Sequence, residues 1–396
     1  MISFDDAVTL VLQHEKSFGT EKVSLFESTG RMLAQDVIAD RDFPPYNRVM
    51  MDGIAIRSNV YDAGIRTFPI EKIQAAGALQ QRLEFDENCI EVMTGAVLPA
   101  NTDTVIPYEK CDITKGAATV KVEQVTKMQH VHLQGMDSRQ GALLLPGLER
   151  LTPAMIGIMA SVGLAEVEVM RLPKVAICST GDELVAVSQQ PEAHQVRRSN
   201  VYMLGSALAS EGIHADTFHL PDNAAVMKAE IERMVNDKDV ILFSGAVSKG
   251  KFDYLPAVLE QLGMKLIFHT IAQRPGKPFL FGKFANGTLV FGFPGNPAST
   301  FVCYHQFFKK WLQKSLQYQQ PKQFAVLAVD VHFKPALSCH LLVTVENING
   351  TTFATPVISS TSGDLVTLAK ASGIIVLPAE REYFTQGEVF ELNNVS

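Results

Sequence analysis

The stretch that most restricts how this chain can fold is Val240 to Leu255, VILFSGAVSKGKFDYL. Its first four residues form an uninterrupted apolar run with two β-branched members, the composition of a strand buried on both faces. Ser244 to Lys251 follows, with glycines at 245 and 250 where the chain can turn sharply and bring N–H groups toward a ligand. Its serines and lysines suit an anion. From Asp253 the spacing of Leu255, Val258, Leu259 and Leu262 is helical, and Gly263 ends the run. Strand, polar glycine loop and helix together make the layout of a phosphate site in an α/β domain.

The same alternation holds from residue 173 to 316. It predicts a strand at Val175 to Cys178 before the loop Ser179-Thr-Gly-Asp-Glu183, and a helix from Val201 to Glu211 capped by Asn200. A strand from Ile213 to Leu220 leads into the turn Pro221-Asp-Asn223, followed by a helix over 224–235. Beyond the central strand come a helix over 253–262, strands over 264–271 and 289–293, and a helix over 297–313. Ligands in such sheets bind in the loops after strand ends. Here those loops are STGDE, PDN, SGAVSKGKFD and Phe293-Pro-Gly-Asn-Pro297. GAVSKGK nearly completes a nucleotide loop, but Phe252 stands where a hydroxyl should hold magnesium, which argues against a P-loop ATPase.

The flanking regions differ in pattern. Ser3 and Asp6 form a capping box ahead of a helix with Phe4, Ala7, Val8, Val11 and Leu12 on one face. Phe43-Pro-Pro-Tyr46 is an extended connector, and residues 47–132 carry short β-patterned runs such as 68–73, 89–93, 104–107 and 118–122. Thr152 and Pro153 open a helix that stops at Gly163. Segments 1–46 and 133–172 are expected to form one discontinuous domain around the β-rich insert, and 321–396 a β-barrel or sandwich beyond a glutamine-rich linker. The fold class is therefore α/β and β multidomain: a central doubly wound α/β domain, a β-rich insert, a discontinuous N-terminal domain and a C-terminal β-barrel.

Five scattered cysteines without a C-x-x-C pair suggest neither zinc nor disulfides, and the N-terminus lacks a signal peptide, so a reducing cytoplasm is expected. No stretch is long enough for a membrane span. With 35 basic and 42 acidic residues the net charge is −7, which argues against nucleic acid but leaves room for a local anion site. His130 and His132, two apart, have no third metal ligand nearby and read as a surface pair.

The α/β loops bring carboxylates, Glu183, Asp222 and Asp253, into the neighbourhood of the cations Lys249, Lys251, Arg274 and Lys277. Carboxylates beside a phosphorylated ligand call for a divalent ion held by oxygen donors, magnesium above all. Arg274-Pro-Gly-Lys277-Pro sets two cations on a stiff, bent segment suited to a compact anion. Ordinary alternatives stand for each: Glu183 as a solvated loop charge, Asp222 and Asp253 as helix caps, Lys277 as a surface lysine. Asn296 and its prolines form a rigid turn that caps a helix or presents fixed groups to a ligand.

Taken together, MMDGIA at 50–55, MTGAVLPANTDTVIPYE from Met93, STGDEL from Ser179, SGAVSKGKFDY from Ser244, RPGKP from Arg274 and FPGNP from Phe293 resemble the MoeA molybdopterin molybdenumtransferases, whose relatives include the E domain of gephyrin. The resemblance runs in order over nearly the whole chain and weakens after about residue 320. It implies four domains, an elongated homodimer, and insertion of molybdate into adenylylated molybdopterin with release of AMP, assisted by Mg2+ or another divalent ion. Contact with the preceding adenylyltransferase is a further expectation.

Carried over by position, it implies catalytic roles for Asp52, Thr94, Glu183, Asp222 and Asp253, the last three also as metal ligands. Substrate binding falls to Ser179, Thr180, Gly181, Ser244, Gly245, Ser248, Lys251, Arg274, Lys277, Pro294, Asn296 and Pro297. Asp52 and Thr94, which the residue patterns alone do not pick out, are expected to face the α/β domain of a partner subunit.

The chain departs from that pattern at Ala246 and Lys251, where a glycine and an aspartate are usual, and at His132-Leu-Gln-Gly-Met-Asp137, which lacks an arginine and a glutamate. Pro221-Asp-Asn223 loses its second aspartate. Ser338 to Val343 replaces an arginine-containing strand, which bears on any molybdate contact by the last domain. Two other functions fit the pattern: the adenylyltransferase of the preceding step, which needs only the α/β unit, and a non-catalytic scaffold on the same fold.

Overall fold

The computed structural model describes residues 1–245, 247, 254–358 and 361–395. Two compact units result, one of Met1–Lys22, Gly30–Met32 and Glu168–Ser396, the other of Val23–Thr29 and Leu33–Val167.

The centre of the first unit is a six-stranded sheet in the order Asp216–Leu220, Val175–Thr180, Val240–Ser244, Leu289–Phe293, Leu280–Lys283, Lys265–His269. The first four strands are parallel. Every residue of Val175–Thr180, Val240–Ser244 and Leu289–Phe293 is buried, as their apolar runs require of strands covered on both faces. Since the chain moves from Val175–Thr180 outward to Asp216–Leu220 and then back across to Val240–Ser244, the sheet switches direction between the two central strands, and the crevice beyond their carboxyl ends is the expected ligand site.

Several expectations are corrected. The sheet has a further strand, Leu280–Lys283, antiparallel to both neighbours. Asn286 and Gly287, an Asn-Gly turn between alternating apolar residues, close this hairpin, with Gly287 N donating to Phe284 O at 3.0 Å. The expected strand over 264–271 is shorter, Lys265–His269, and Gln273–Arg274 pairs instead with Ser338–Cys339 of the last domain. The strand expected over 213–220 covers Asp216–Leu220. The expected helix over 297–313 is helical from Pro297 to Ser315 but passes through a wider π-type turn at Tyr304–Phe308. The helix after the central strand is seen from Leu255 to Gln261.

The N-terminal helix, Phe4–Leu12, is capped as its sequence demands, Ser3 Oγ accepting from Asp6 N at 3.1 Å. It packs within the first unit, Phe4 lying 5.8 Å edge-on from Phe307, while Trp311 Nε1 donates to His14 O at 2.8 Å. The C-terminal strands form a closed five-strand barrel: Ser338–Ile348, Thr351–Pro356, Gln323–Leu327, Val389–Asn394 and Gly373–Leu377, the last pairing back onto the first.

The second unit holds the β-rich insert as a six-stranded sheet in the order Thr104–Pro107, Gly53–Ile56, Cys89–Val92, Thr67–Gln74, Ala117–Val120, Cys111–Thr114. The helix Pro153–Ser161 starts on its Thr152 cap, with Pro153 in the first turn.

Candidate functional site

Three of the expected loops meet at the switch point. Gly181 has a φ of +124°, and a Cβ there would lie 2.5 Å from a Glu183 carboxylate oxygen, so the glycine makes room for that acid. Asp182 Oδ1 accepts from Asp222 N at 3.1 Å, which ties the PDN turn to the STGDE loop. The helix cap beside it is Asn223, whose Oδ1 accepts from Ala225 N and Val226 N, so Asp222 is not spent as the cap. Gly245 brings the third loop close: its missing Cβ would sit 3.0 Å from Thr180 Oγ1, and its N–H donates to Phe293 O at 3.1 Å. Thr180 is 3% exposed and its Oγ1 has no partner among the described residues.

Two expected ligand groups also bond within the fold. Ser179 Oγ donates toward Phe218 O and lies 3.0 Å from His219 Nδ1. Ser244 Oγ accepts from Asn200 Nδ2 at 2.9 Å. Asn200 is not the expected helix cap. The helix runs Ser199–Ser210, one turn encloses Asn200, and its amide reaches Gly295 O at 2.8 Å as well. His219 is held below the ordinary imidazole range, first by burial and then by the Arg198 cation, with Asp182 and Glu183 opposing the shift. The sequence does not single out Asp182, Arg198 or His219 as site residues, and offers Asn200 only as a helix cap. Only Asp182, inside STGDE, carried a local signal.

The RPGKP and FPGNP segments line a single cavity of about 620 Å3 with residues of the barrel. Gln273, fully buried, shapes its wall by donating from Nε2 to Pro275 O at 3.1 Å and Gly276 O at 3.3 Å. Gly276, at φ +91°, leaves no room for a Cβ beside Cys303 Sγ. Arg274, Lys277, Pro294 and Asn296 face the cavity, as does Lys334, which the sequence reading did not select. No Asp or Glu lines it among the described residues, and the three cations have no carboxylate partner there. Asn296 is anchored by donating to Ser362 Oγ at 2.8 Å, while Pro297 begins the helix that follows. The replaced strand contributes His340, 2% exposed, whose ring nitrogens both lack partners among the described residues; burial pushes its pKa down to about 3, so it is a neutral imidazole. A cavity so charged favours a compact anion.

In the second unit Thr94 donates to one oxygen of Asp52 from both N, at 2.6 Å, and Oγ1, at 2.7 Å. These bonds, the backbone one foremost, hold the Asp52 carboxyl below its ordinary range. His132 Nε2 bonds Asp137 Oδ1 at 2.8 Å while Nδ1 faces Arg48, an arrangement that occupies both ring nitrogens.

Ser248, Lys249, Lys251 and Asp253, with Ala246, lie outside the described residues. Among the described residues no group of three potential ligands is gathered as a metal site. Asp182 and Glu183 of the STGDE loop, and Asp222 of the turn tied to it, carry carboxylates, hard oxygen donors of the kind a magnesium ion selects.

With the geometry in place, three family models match consecutive segments: MoeA N-terminal region (domain I and II) over 2–163, probable molybdopterin binding domain over 176–314, and MoeA C-terminal region (domain IV) over 325–395. A molybdopterin molybdenumtransferase of Synechocystis sp. is 38% identical over 394 residues, covering 98% of this chain and 99% of its own. That of Bacillus subtilis is 30% identical over 402 residues, covering 99% and 93%. Two crystal structures of a molybdopterin biosynthesis MoeA protein from Pyrococcus horikoshii superpose with TM-scores of 0.83 and 0.81 at 28% and 25% identity. Both cover 100% of this chain, and 99% and 100% of the other.

Proposed function

The chain belongs to the MoeA family of molybdopterin molybdenumtransferases, enzymes of molybdenum cofactor biosynthesis, and from that premise we propose that it inserts molybdate into adenylylated molybdopterin and releases AMP. The observation that carries the reading is the cavity with Arg274, Lys277 and Lys334 and no lining acid among the described residues, its FPGNP loop bonded to Gly245 at the switch point.

The chemistry requires both halves. Molybdate is a dianion that must approach a negatively charged dithiolene, and the three cations offset that repulsion. The neutral His340 offers hydrogen bonding without further charge. At the switch point the STGDE loop faces the phosphoanhydride, and Thr180 Oγ1, without a partner among the described residues, offers it a bond. Glu183 and Asp222, with Asp253, would hold a divalent ion such as magnesium, which when bound neutralises charge on the phosphoanhydride. Water cleaves the bond between the two phosphates, giving AMP and a terminal phosphate on the pterin. Loss of oxide from molybdate as water takes up protons that the carboxylates relay.

The same reading assigns Asp52 and Thr94 to the active site through homodimerisation, divides the chain into the four segments expected from sequence, and sets the reaction in the cytoplasm beside the adenylyltransferase that supplies the substrate. No helix among the described residues is long and apolar enough to cross a membrane.

The test is one incubation of purified protein with adenylylated molybdopterin, magnesium and molybdate, following AMP release and activation of a cofactor-free molybdoenzyme. Molybdate-dependent AMP release, lost in Glu183→Ala and on chelation, is expected. Tight ligand binding without AMP release would sink the reading in favour of a scaffold, and adenylylated product formed from ATP would point to the preceding step.

A further inference from the structure

Resting on that functional reading, we infer that Asn200 is a positioning residue, a staple that fixes the FPGNP loop beside the anion cavity against the carboxyl end of the central strand at Ser244. Asn200 Nδ2 donates to Ser244 Oγ at 2.9 Å and Gly295 O at 2.8 Å, and lies 3.4 Å from Thr300 Oγ1. Ser244 ends the central strand and Gly295 is the middle of FPGNP, so one amide bridges the strand end and that loop. Thr300 continues the network by donating from Oγ1 to Pro294 O at 2.6 Å. Gly245 N to Phe293 O at 3.1 Å extends the ladder that pairs Ser244 with Phe293, and the Asn200 amide carries the connection one step further, to Gly295.

Nothing about the helix calls for an asparagine here. Asn200 lies inside the first turn of Ser199–Ser210, makes no capping bond, and is a poorer helix former than alanine. Its Oδ1 is buried without a partner among the described residues, a cost that a residue selected for burial would avoid. What the side chain supplies is two fixed N–H vectors aimed at the strand end and the loop. Because the switch-point acids and the cavity cations must act on one substrate, a shift of that loop against the strand end misaligns the two reacting anions.

Asn200→Asp keeps the shape and removes both N–H donors, and Asn200→Ala removes the whole bridge. For both, kcat for molybdate-dependent AMP release is expected to fall about 10- to 100-fold. KM for both substrates is expected to stay within about threefold, since binding groups remain. The independent readout is hydrogen exchange followed by mass spectrometry: peptides spanning 293–300 should exchange faster in both variants while Val175–Thr180 stays as protected as in the wild type. Unchanged exchange and unchanged kcat would overturn the staple, as would a drop in folded fraction that accounts for all the lost activity in both variants. If the wild type itself releases no AMP with molybdate, the functional reading falls, and exchange over 293–300 still decides the staple.

Discussion

Gly181 and Glu183 share one space: the Cβ that glycine lacks would stand 2.5 and 2.6 Å from the two carboxylate oxygens of the glutamate. The backbone at Gly181, φ +124°, is also one that side chains rarely adopt. Gly181→Ala should therefore displace the Glu183 carboxylate and lower kcat by about 100-fold, the usual effect of an ångström-scale misplacement. It should also cost about 1–3 kcal/mol of stability. Steady-state AMP release with a urea melt checks both, and wild-type kinetics would remove Glu183 from the site.

The Asp52 carboxyl is held low first by the Thr94 backbone N–H and second by its hydroxyl. Thr94→Val deletes only the second bond. The Asp52 titration followed by carboxyl NMR should move upward in the variant and yet stay below an ordinary aspartate. Because the folded group titrates below the unfolded one, its contribution to stability is present above the unfolded value and disappears as pH falls through the folded one. An Asp52 titration indifferent to Thr94→Val would contradict the hydrogen-bond account.

Burial pushes both His305 and His340 down to about 3. The unfolded chain binds protons at these residues near pH 6.5, so stability is complete above that value and declines as pH falls toward 3. The slope approaches about 1.4 kcal/mol per pH unit for each histidine. Phenylalanine at position 340 should flatten acid unfolding between those limits. An unaltered pH profile would mean that His340 is not buried neutral.

Arg274, Lys277 and Lys334 converge on the cavity without a carboxylate among its described lining. Lys334→Ala is expected to raise KM for molybdate roughly tenfold with little change in kcat, the pattern of a lost uniform binding contact. Arg274→Lys should not be benign, because the planar guanidinium fork is replaced by a point charge. If Lys334→Ala binds molybdate like the wild type in calorimetry, the barrel takes no part in anion recognition.

Much of this site is legible in the sequence because its parts are local. Glycines 181, 245 and 276 stand where a positive φ or a close approach needs them, and the loops fall after buried strands whose apolar runs are plain. The Leu280–Lys283 strand was also within reach, since Asn286-Gly287 between alternating apolar residues is a hairpin signal. Asn200 was legible only as a helix cap, because an asparagine before an apolar-periodic run looks the same whether its side chain turns back to the helix or across to Ser244 and Gly295.

From the sequence alone follow the order of strand, loop and helix, the turns that only glycine permits, the cationic RPGKP segment and membership of a family. These depend on periodicity and steric allowance over a few residues. Only the tertiary structure decided that RPGKP closes a cavity with Lys334 and His340, and that Asn200 joins the FPGNP loop to the central strand's end. Those relations come from the order of strands in the sheet, from Gln273–Arg274 pairing with Ser338–Cys339, and from closure of the barrel. Each is a hydrogen-bonded contact between segments far apart in the chain, which a local pattern cannot specify.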